Sequence, residues 1–313
     1  MKRKDVVVLN SHGVGQYAYT DHMPVWGETL CVNKWHIAED GGKGSNVSVA
    51  LGRLGLSTAY IGKVGNDPWG DLGQKWMNDA GVDTTYLYRT DEVATGTGLI
   101  LIGPDGQNAV IDGDSSSAKL TLEEVTAALD AMKDARMFVA GLEIREDLVL
   151  AATRYAKSLG MITALNPSPL PEKPMGRLEF VDYLFINEIE GKYILNVPQD
   201  TEIAPRAMLE KVRESYGCEH VIMTMGSEGS AVLSGSDYWT VAPTKVAKIV
   251  NTAGAGDGFL AASVAQLLLG KSLREATEWA SKYAALSITI EGTIPAYRPM
   301  DEVERFIATL QEA

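Results

Sequence analysis

The sequence of 313 residues contains little cysteine, little histidine and little positive charge. Its two cysteines, Cys31 and Cys218, lie far apart, which excludes a disulfide framework and a paired-cysteine metal site. The four histidines lack the spacing of metal ligands, so we expect ordinary surface or core residues. With 28 Lys and Arg against 41 Asp and Glu, the net charge of −13 disfavours binding to nucleic acid.

Long hydrophobic runs are also missing. The longest apolar stretch, Phe259 to Leu269, is too short to span a bilayer. The start, "MKRKDVVVLN", has too few apolar residues for a signal peptide, so we expect a cytoplasmic protein without membrane contact. A hydrophobic content of 45% and a charged content of 22% indicate a globular chain, and we expect a single domain over residues 1–313.

Short apolar runs alternate with helical patterns along the chain. The predicted strands are 5–9, 59–64, 137–141, 162–166, 183–187 and 220–225. The predicted helices are 45–54, 69–79, 122–133, 147–159 and 205–216, with another after residue 259. This alternation predicts an α/β fold in three layers, a parallel sheet with helices on both faces and ligands at the carboxyl ends of the strands.

Two segments break this alternation. Residues 16–40 contain Pro24 and Gly27 and show no helical period, while residues 96–112 are typical of a hairpin turning at Pro104-Asp105-Gly106. We predict that the regions 12–40 and 95–113 pair into a small antiparallel sheet, which would form a lid over the ligand crevice.

Two short motifs resemble nucleotide-binding fingerprints without their context. Residues 13–18, "GVGQYA", match the dinucleotide pattern, but Pro24 and Gly27 follow where a helix is required. Residues 270–272, "GKS", end a helical pattern, whereas a phosphate-binding loop begins one, so Gly270 is interpreted as a helix stop.

The stretch "NTAGAGDGF", residues 251–259, stands directly before an apolar helical pattern. The first amides of a helix have no partners inside it and can hold an anion, and Gly254, Ala255 and Gly256 allow close approach to the backbone. Asp257 can accept a proton from a hydroxyl, which phosphoryl transfer requires. The alternative is a glycine-rich turn with an Asp favoured by the helix dipole.

A second glycine-rich turn, "GGKGSN" at residues 41–46, also precedes a helical pattern. Lys43 would supply a basic group in an acidic protein, and Asn46 can both donate to and accept from a sugar hydroxyl. The alternative is a flexible turn with a solvated lysine.

Together, "GGKGSNVSVALGRLG" and "NTAGAGDGF" resemble the two signatures of the ribokinase-like, PfkB-type carbohydrate kinases. Further stretches that resemble family positions follow in order along the chain, so the resemblance covers nearly all of it: "GET" at 27–29, "VGND" at 64–67, "GLE" at 141–143, "LNPSP" at 165–169, "NEIE" at 187–190 and "TMGSEG" at 224–229.

The resemblance implies a kinase that transfers a phosphoryl group from ATP to a hydroxyl of a sugar, a pentose or a related carbohydrate. It implies that Asp257 is the base and that Gly254, Ala255 and Gly256 form the anion hole. It places three further sets of residues around the substrates: Gly42, Lys43, Asn46, Glu143 and Asn251 at the sugar; Asn187, Thr224, Gly226, Ser227 and Gly229 at ATP; and Glu190 at Mg²⁺, through water.

The sequence departs from the family pattern at two places. Ribokinases have "N-x-D" after the first strand, and here Gly13 and Gly15 replace both polar residues. We therefore expect a roomier pocket whose best substrate is a sugar bulkier than ribose or one with a different hydroxyl pattern. Asn251 stands where most members have Asp, and its neutral amide predicts weak activation by K⁺. The monovalent cation would then rely on Asn251 and on carbonyls near Ala253 and Gly292.

Other functions remain open at this point. Asn251 also fits a nucleoside or pseudouridine kinase, for which Tyr17, Trp26 and Trp35 would supply stacking. A non-catalytic sugar-binding regulator would not need Asp257, and a nicotinamide-dependent oxidoreductase rests on "GVGQYA" alone. Lids of this family often pair, so the resemblance implies a homodimer formed through the lid.

Overall fold

The computed structural model describes residues 3–32, 34–37, 40–104, 108–113, 115–171 and 175–311. The strands within these ranges are β1 (Val6–Leu9), β2 (Gly13–Tyr19), β3 (Lys34–Ile37), β4 (Thr58–Gly65), β5 (Asp83–Thr90), β6 (Gly96–Ile102), β7 (Asn108–Asp112), β8 (Met137–Gly141), β9 (Ile162–Asn166), β10 (Tyr183–Asn187), β11 (His220–Thr224), β12 (Ser230–Ser234) and β13 (Asp237–Val241). The helices are α1 (Gly42–Arg53), α2 (Pro68–Asp79), α3 (Leu122–Ala131), α4 (Glu146–Ser158), α5 (Glu188–Ile194), α6 (Pro205–Tyr216), α7 (Ala255–Leu268), α8 (Leu273–Ser287) and α9 (Met300–Gln311).

The large sheet has nine strands in the order β13-β12-β11-β10-β9-β8-β1-β4-β5. Neighbouring strands from β11 to β5 run parallel, and β12 and β13 add an antiparallel hairpin at one edge. In β1, Val7 and Leu9 belong to one core cluster, while Val6 and Val8 belong to the other. This alternation buries both faces of the sheet under helices, so the predicted α/β fold is confirmed.

The strand predictions were most accurate at the centre of the sheet. The runs 137–141, 162–166 and 183–187 are strands with those bounds, because each is apolar and largely buried between turn residues. Helix α6 also has its predicted bounds, and α7 begins at Ala255, ahead of the helix predicted after residue 259. The other predicted strands and helices are shifted by three residues or fewer at their ends. Sequence analysis did not predict β5, β12, β13, α5, α8 or α9.

The two segments that break the alternation form a second sheet in the order β3-β2-β6-β7, called here the small sheet. The β2–β3 and β6–β7 pairs are antiparallel, as expected, while the central pair β2–β6 is parallel, from Gly13 beside Gly96 to Tyr19 beside Ile102. The predicted turn begins at Pro104, and its Asp105 and Gly106 lie outside the described residues.

Both rejected nucleotide motifs have the structures expected of chance matches. "GVGQYA" forms most of strand β2, and the next element among the described residues is strand β3 rather than the helix that a dinucleotide-binding motif requires, so that interpretation is excluded. Gly270, at φ +87°, follows the end of α7, and Ser272 caps the start of α8, which confirms a helix stop. None of the helices in the described ranges has both the length and the apolar character needed to cross a membrane.

Candidate active site

A cavity of about 1210 Å³ lies between the small sheet and the carboxyl end of strand β1. Eight of the predicted site residues line it: Gly42, Lys43, Asn46, Glu143, Asn251, Ala253, Gly254 and Asp257. The other predicted residues belong to nearby turns and helix starts that do not line it: Ala255, Gly256, Gly292, Asn187, Glu190, Thr224, Gly226, Ser227 and Gly229. Residues of both glycine-rich turns therefore line one cavity.

Helix α7 begins with a turn that requires glycine. Gly254 precedes the helix at φ +73°, and a Cβ there would stand 2.5 Å from the Tyr297 hydroxyl oxygen. Among the described residues, the backbone amides of Gly256 and Asp257 find no carbonyl partner. A Cβ on Gly256 would meet nothing within 4 Å, so the start of the helix is open beside Gly256, and amides without partners at a helix start can hold an anion.

The Asp257 carboxylate lies in the first turn of α7 and its residue is 8% exposed. Its Oδ2 accepts a hydrogen bond from Asn46 Nδ2 at 3.0 Å, and Lys43 Nζ lies 3.8 Å from its Oδ1. Burial raises the pKa of Asp257, while the Lys43 charge and the Asn46 hydrogen bond oppose that rise. The result is an oriented carboxylate at the cavity wall, suited to accepting a proton.

Asn46 is fully hydrogen-bonded within the protein. Its Nδ2 donates to Asp257 Oδ2 at 3.0 Å and to Asp40 Oδ1 at 3.2 Å. Its Oδ1 accepts from the Gly41 amide at 3.3 Å and from the Thr293 hydroxyl at 2.9 Å. An amide side chain has two protons to donate and one oxygen that accepts two bonds. Asn46 therefore orients Asp257, and a contact with a sugar would require one of these bonds to be exchanged.

Glu143 follows strand β8 and joins three parts of the chain. Its Oε2 accepts from the Ser11 hydroxyl at 2.6 Å and from the Lys43 amide at 2.9 Å. Burial raises the pKa of Glu143 to about 7, against the opposing effects of Lys43 and Ser11. Near neutral pH this side chain can therefore either donate or accept a hydrogen bond.

Asn251 uses its side chain to shape the turn before α7. Its Oδ1 accepts from the Ala253 amide at 3.0 Å. The backbone N–H of Asn251 donates to Ile288 O at 3.2 Å, and this bond joins the turn to the loop that contains Gly292. The three predicted ligands of a monovalent cation therefore belong to two adjoining loops.

Asn187 and Glu190 form a capping box at the start of α5. The Asn187 side chain accepts from the Glu190 amide, and the Glu190 side chain accepts from the Asn187 amide, both at 2.8 Å. Burial raises the pKa of Glu190, and the charges of Lys43 and Asp257 also act on it. Glu190 thus belongs to the electrostatic surroundings of Asp257 although it does not line the cavity.

The loop after β11 holds the remaining nucleotide-side candidates. Thr224 ends the strand, and Gly226 and Ser227 are exposed in a short 3-10 turn. Gly229 has φ +85°, and a Cβ there would lie 2.1 Å from Val241 O, so this position requires glycine. The loop is exposed at the carboxyl edge of the sheet, where a ligand can lie along it.

Gly15 contacts two side chains at the cavity wall. A Cβ there would lie 2.9 Å from Ile100 Cδ1, 3.3 Å from Asp40 Cβ and 3.5 Å from Asp40 Oδ2. A carboxylate from position 40 therefore lies beside the position where the family pattern has an acid, and the roomier pocket stays a prediction. Gly13 has a backbone role instead, because a Cβ there would lie 3.2 Å from Gly96 O across the parallel pair.

Sequence analysis did not single out several residues of this site. Ser11 and His12 follow the carboxyl end of β1, and Asp40 directly precedes the "GGKGSN" turn. Their positions next to a predicted strand end and a predicted ligand-binding turn could have identified all three from the sequence. His12 is buried, with Nδ1 2.8 Å from Ser45 Oγ and Nε2 3.1 Å from Trp69 O. Thr293 carried no such signal, because its bond to Asn46 spans 247 positions of the chain.

Phosphoryl transfer needs donors for the charge on the phosphoryl oxygens and a base for the attacking group. The start of α7 has unpartnered amides and a buried carboxylate within one turn, beside a cavity that an acceptor can enter. Fold and site together indicate a phosphotransferase that acts on an alcohol.

Comparison with known proteins gives the family. Residues 38–299 match the model of the pfkB family of carbohydrate kinases, and the chain belongs to this family. It is 29% identical to the ribokinase of Staphylococcus aureus strain COL over 303 residues, which are 96% of this chain and 98% of that protein. It is 30% identical to the ribokinase of Mus musculus over 298 residues, 93% and 91% of the two chains. The deoxyribokinase of Salmonella typhi is 28% identical over 309 residues, 97% and 99% of the chains.

Solved structures agree on the fold. The structure of Arabidopsis thaliana ribokinase complexed with ribose and ATP superposes with a TM-score of 0.85 at 24% identity, covering 97% of this chain and 99% of that one. A putative ribokinase II from E. coli in complex with ATP and Mg²⁺ gives 0.80 at 21% identity, covering 98% and 99%. The three-layer fold with an additional small sheet is therefore confirmed as the ribokinase fold.

Proposed function

We propose that this carbohydrate kinase transfers the γ-phosphoryl group of ATP to a hydroxyl of a pentose or a related sugar. One observation carries the proposal: Asp257, a residue 8% exposed, places its carboxylate at the cavity wall, directly beside the unpartnered amides that begin α7. The ribokinase and deoxyribokinase relatives support a pentose as the acceptor class.

In the proposed reaction, Asp257 accepts the proton of the sugar hydroxyl while its oxygen attacks the γ-phosphorus in line. A bond forms between that oxygen and phosphorus, the bond from phosphorus to the bridging oxygen of ATP breaks, and ADP leaves. The turn Gly254–Ala255–Gly256 forms the anion hole, in which the unpartnered amides of Gly256 and Asp257 bind the charge that develops on the phosphoryl oxygens, while the Ala255 amide donates to Thr252 O at 3.3 Å. The hydroxyl is a primary one, and the small sheet acts as a lid that excludes water.

The sugar lies in the cavity between the small sheet and the "GGKGSN" turn. The exposure of Gly42 and Lys43 to this cavity supports their contact with the sugar, and so does the position of Glu143. Asn46 and Asn251 act mainly by orienting their neighbours. The Asn46 side chain already makes four hydrogen bonds within the protein, and Asn251 Oδ1 already accepts a hydrogen bond from the Ala253 amide.

ATP lies along the carboxyl edge of β10 and β11, against Asn187 and the loop with Thr224, Gly226, Ser227 and Gly229. Within the described residues no group of three acidic, histidine or cysteine side chains forms a metal cage. That fits Mg²⁺, which keeps several waters and is held by one or two carboxylates and the phosphates, so Glu190 would bind it through water. When bound, Mg²⁺ neutralises charge on the phosphates.

A monovalent cation would bind near Asn251, Ala253 and Gly292. Asn251 Oδ1 already accepts a hydrogen bond from the Ala253 amide, and it carries no charge. Both features weaken cation binding, so we propose that K⁺ stimulates turnover only weakly.

A nucleoside kinase is the second candidate, and the cavity volume of about 1210 Å³ favours keeping it. Tyr17 lines the cavity and stacks on His36 at 5.8 Å between ring centroids, so it can contact a base. Trp26 and Trp35 are exposed and do not line the cavity, so the stacking expected from them has no support.

We also propose that the protein pairs through its small sheet. Large apolar side chains are exposed on this sheet and the segment joining its strands, with Val25, Trp26, Trp35, Ile37 and Ile111 among them. Trp35→Lys would then shift the sedimentation profile from dimer to monomer, and an unchanged profile would exclude this interface.

The proposal is tested with a panel of pentoses, hexoses and nucleosides, scored for ADP release with ATP and Mg²⁺. We expect the highest kcat/KM with a sugar. Preference for a nucleoside would favour the second candidate, and absence of ADP release with every acceptor would favour a non-catalytic sugar-binding regulator.

A further inference from the structure

The Asp40 side chain lines the cavity next to the small sheet, directly before the "GGKGSN" turn. Its main chain is fixed there, because Asp40 O accepts from the Gly15 amide at 3.3 Å. A Cβ on Gly15 would lie 2.9 Å from Ile100 Cδ1, 3.3 Å from Asp40 Cβ and 3.5 Å from Asp40 Oδ2. Position 15 therefore contacts the side chains of both Ile100 and Asp40, and the carboxylate at this part of the cavity wall comes from position 40.

The two oxygens of Asp40 have different surroundings. Oδ1 accepts from the Gly42 amide at 3.1 Å and from Asn46 Nδ2 at 3.2 Å. Among the described residues, Oδ2 has the Tyr17 hydroxyl as its partner, at a long 3.4 Å. Since a carboxylate oxygen accepts about two hydrogen bonds, Oδ1 is saturated and Oδ2 is open to another donor from the cavity.

Asp40 is also close to the reacting end of the cavity. One nitrogen, Asn46 Nδ2, bonds Asp40 Oδ1 at 3.2 Å and Asp257 Oδ2 at 3.0 Å. A sugar that presents one hydroxyl to Asp257 carries other hydroxyls a few ångströms away, within reach of the second carboxylate.

The charge of the lining determines which acceptors can enter. Lys43 is the one Lys or Arg among the described residues that line the cavity, against five acids: Asp21, Asp40, Glu143, Asp257 and Glu291. Such a lining attracts neutral hydroxyl donors and repels acceptors that already carry a phosphate or carboxylate.

We infer that Asp40 is a specificity-determining residue, whose Oδ2 accepts a hydrogen bond from a non-reacting hydroxyl of a neutral, unphosphorylated sugar. This inference rests on the proposed function, since it assigns a second contact to the same acceptor. A hydrogen bond to a charged acceptor is strong, and leaving its partner unpaired weakens binding markedly.

The main test is Asp40→Asn, measured with the pentose of highest kcat/KM among D-ribose, D-xylose, D-arabinose and 2-deoxy-D-ribose. An Asn side-chain oxygen can keep the bonds to the Gly42 amide and Asn46, while its NH₂ group replaces the accepting Oδ2. We expect KM to rise about 10- to 100-fold, with kcat changed less than about threefold. With the monodeoxy analogue that lacks the bonded hydroxyl, wild type and variant should have KM values within about threefold.

The matched control moves the carboxylate from position 40 to position 15. In the double variant Asp40→Gly with Gly15→Asp, the carboxylate is carried by the neighbouring residue 15. We expect this second substitution to reverse most of the rise in KM that Asp40→Gly causes. Gly15→Asp alone sets two carboxylates side by side and should raise KM, because like charges repel. Circular dichroism and the thermal midpoint verify folding of each variant.

The outcomes separate the two claims. If Asp40→Asn lowers kcat with unchanged KM, or raises KM equally for every monodeoxy analogue, Asp40 only positions Asn46 and the inference is wrong while the kinase function stands. If D-ribose 1-phosphate, which keeps the primary hydroxyl, is phosphorylated as well as the free pentose, the neutral-acceptor part is wrong. If wild type releases no ADP with any sugar, the proposed function and the inference both fail.

Discussion

Two alanine substitutions at the start of α7 test two different roles of this segment. Gly254→Ala tests whether the backbone conformation requires glycine, and Gly256→Ala tests the proposed contact with the phosphoryl group. Gly254 has φ +73°, and a Cβ there would lie 2.5 Å from the Tyr297 hydroxyl oxygen and 2.8 Å from Thr293 Cγ2. Gly256 is at the second position of the helix, and a Cβ there meets nothing within 4 Å. The two substitutions add the same methyl group two positions apart.

Gly254→Ala should destabilise the protein. A left-handed conformation costs a residue with a Cβ roughly 1–2 kcal/mol, and overpacking adds about 1–3 kcal/mol. Displacement of Tyr297 also strains the bond that its hydroxyl donates to Gly254 O at 2.9 Å. A loss of roughly 2–5 kcal/mol corresponds to a thermal midpoint lower by about 4–10 °C, at about 2 °C per kcal/mol for a large domain.

Gly256→Ala should leave the thermal midpoint unchanged or slightly higher, because Ala is a better helix former than Gly by about 0.5–1 kcal/mol. Its methyl group enters the space proposed for the phosphoryl oxygens, so we expect kcat to fall more than tenfold. Differential scanning calorimetry and a coupled assay of ADP release measure both effects. Equal destabilisation by the two substitutions would refute the structural reasoning, and full activity of Gly256→Ala would refute the anion hole.

Three further predictions concern charge at the site. Lys43→Met removes a charge that holds the pKa of Asp257 down, so the acid limb of the profile of kcat/KM against pH should move to higher pH; an unmoved limb would contradict the pairing. Burial raises the pKa of Glu143 from about 4.5 to about 7, so its stabilising contribution is complete below pH 4.5 and is lost as pH rises through 7. The thermal midpoint of wild type should therefore fall relative to Glu143→Gln between pH 6 and pH 8, and parallel curves would contradict this. Asn251→Asp should increase the stimulation of turnover by K⁺ over Na⁺, and strong stimulation of wild type itself would contradict the weak site.

The parts of the fold that sequence patterns predicted best are those where burial is complete. Strands β8, β9 and β10 are short apolar runs between turn residues, and their bounds agree with the prediction. Strand β5 lies at an edge of the large sheet, and its mixed burial leaves polar residues throughout Asp83–Thr90 without a continuous apolar run. Its strand conformation depends on pairing with β4, which no local pattern indicates.

In the site as well, residues within local motifs could be identified from the sequence, whereas contacts between distant segments could not. The two glycine-rich turns are local motifs, so Lys43 and Asp257 were identified from sequence, and both line the cavity. The saturation of Asn46 was not predictable, because its partners Asp257 and Thr293 are 211 and 247 positions away. Likewise, no local pattern indicated that the Asp40 and Ile100 side chains lie next to Gly15, because they belong to segments 25 and 85 positions further along the chain.

The proton-accepting role of Asp257 is the central claim, and Asp257→Asn tests it most directly. The substitution keeps the size of the side chain and removes the base, so turnover should fall by about 10²–10⁴-fold. Binding of ATP, followed by isothermal titration calorimetry, should stay within about threefold of wild type, because the helix amides and the β11 loop are unchanged. Turnover of Asp257→Asn above a tenth of the wild-type rate, with ATP bound equally well, would contradict the account.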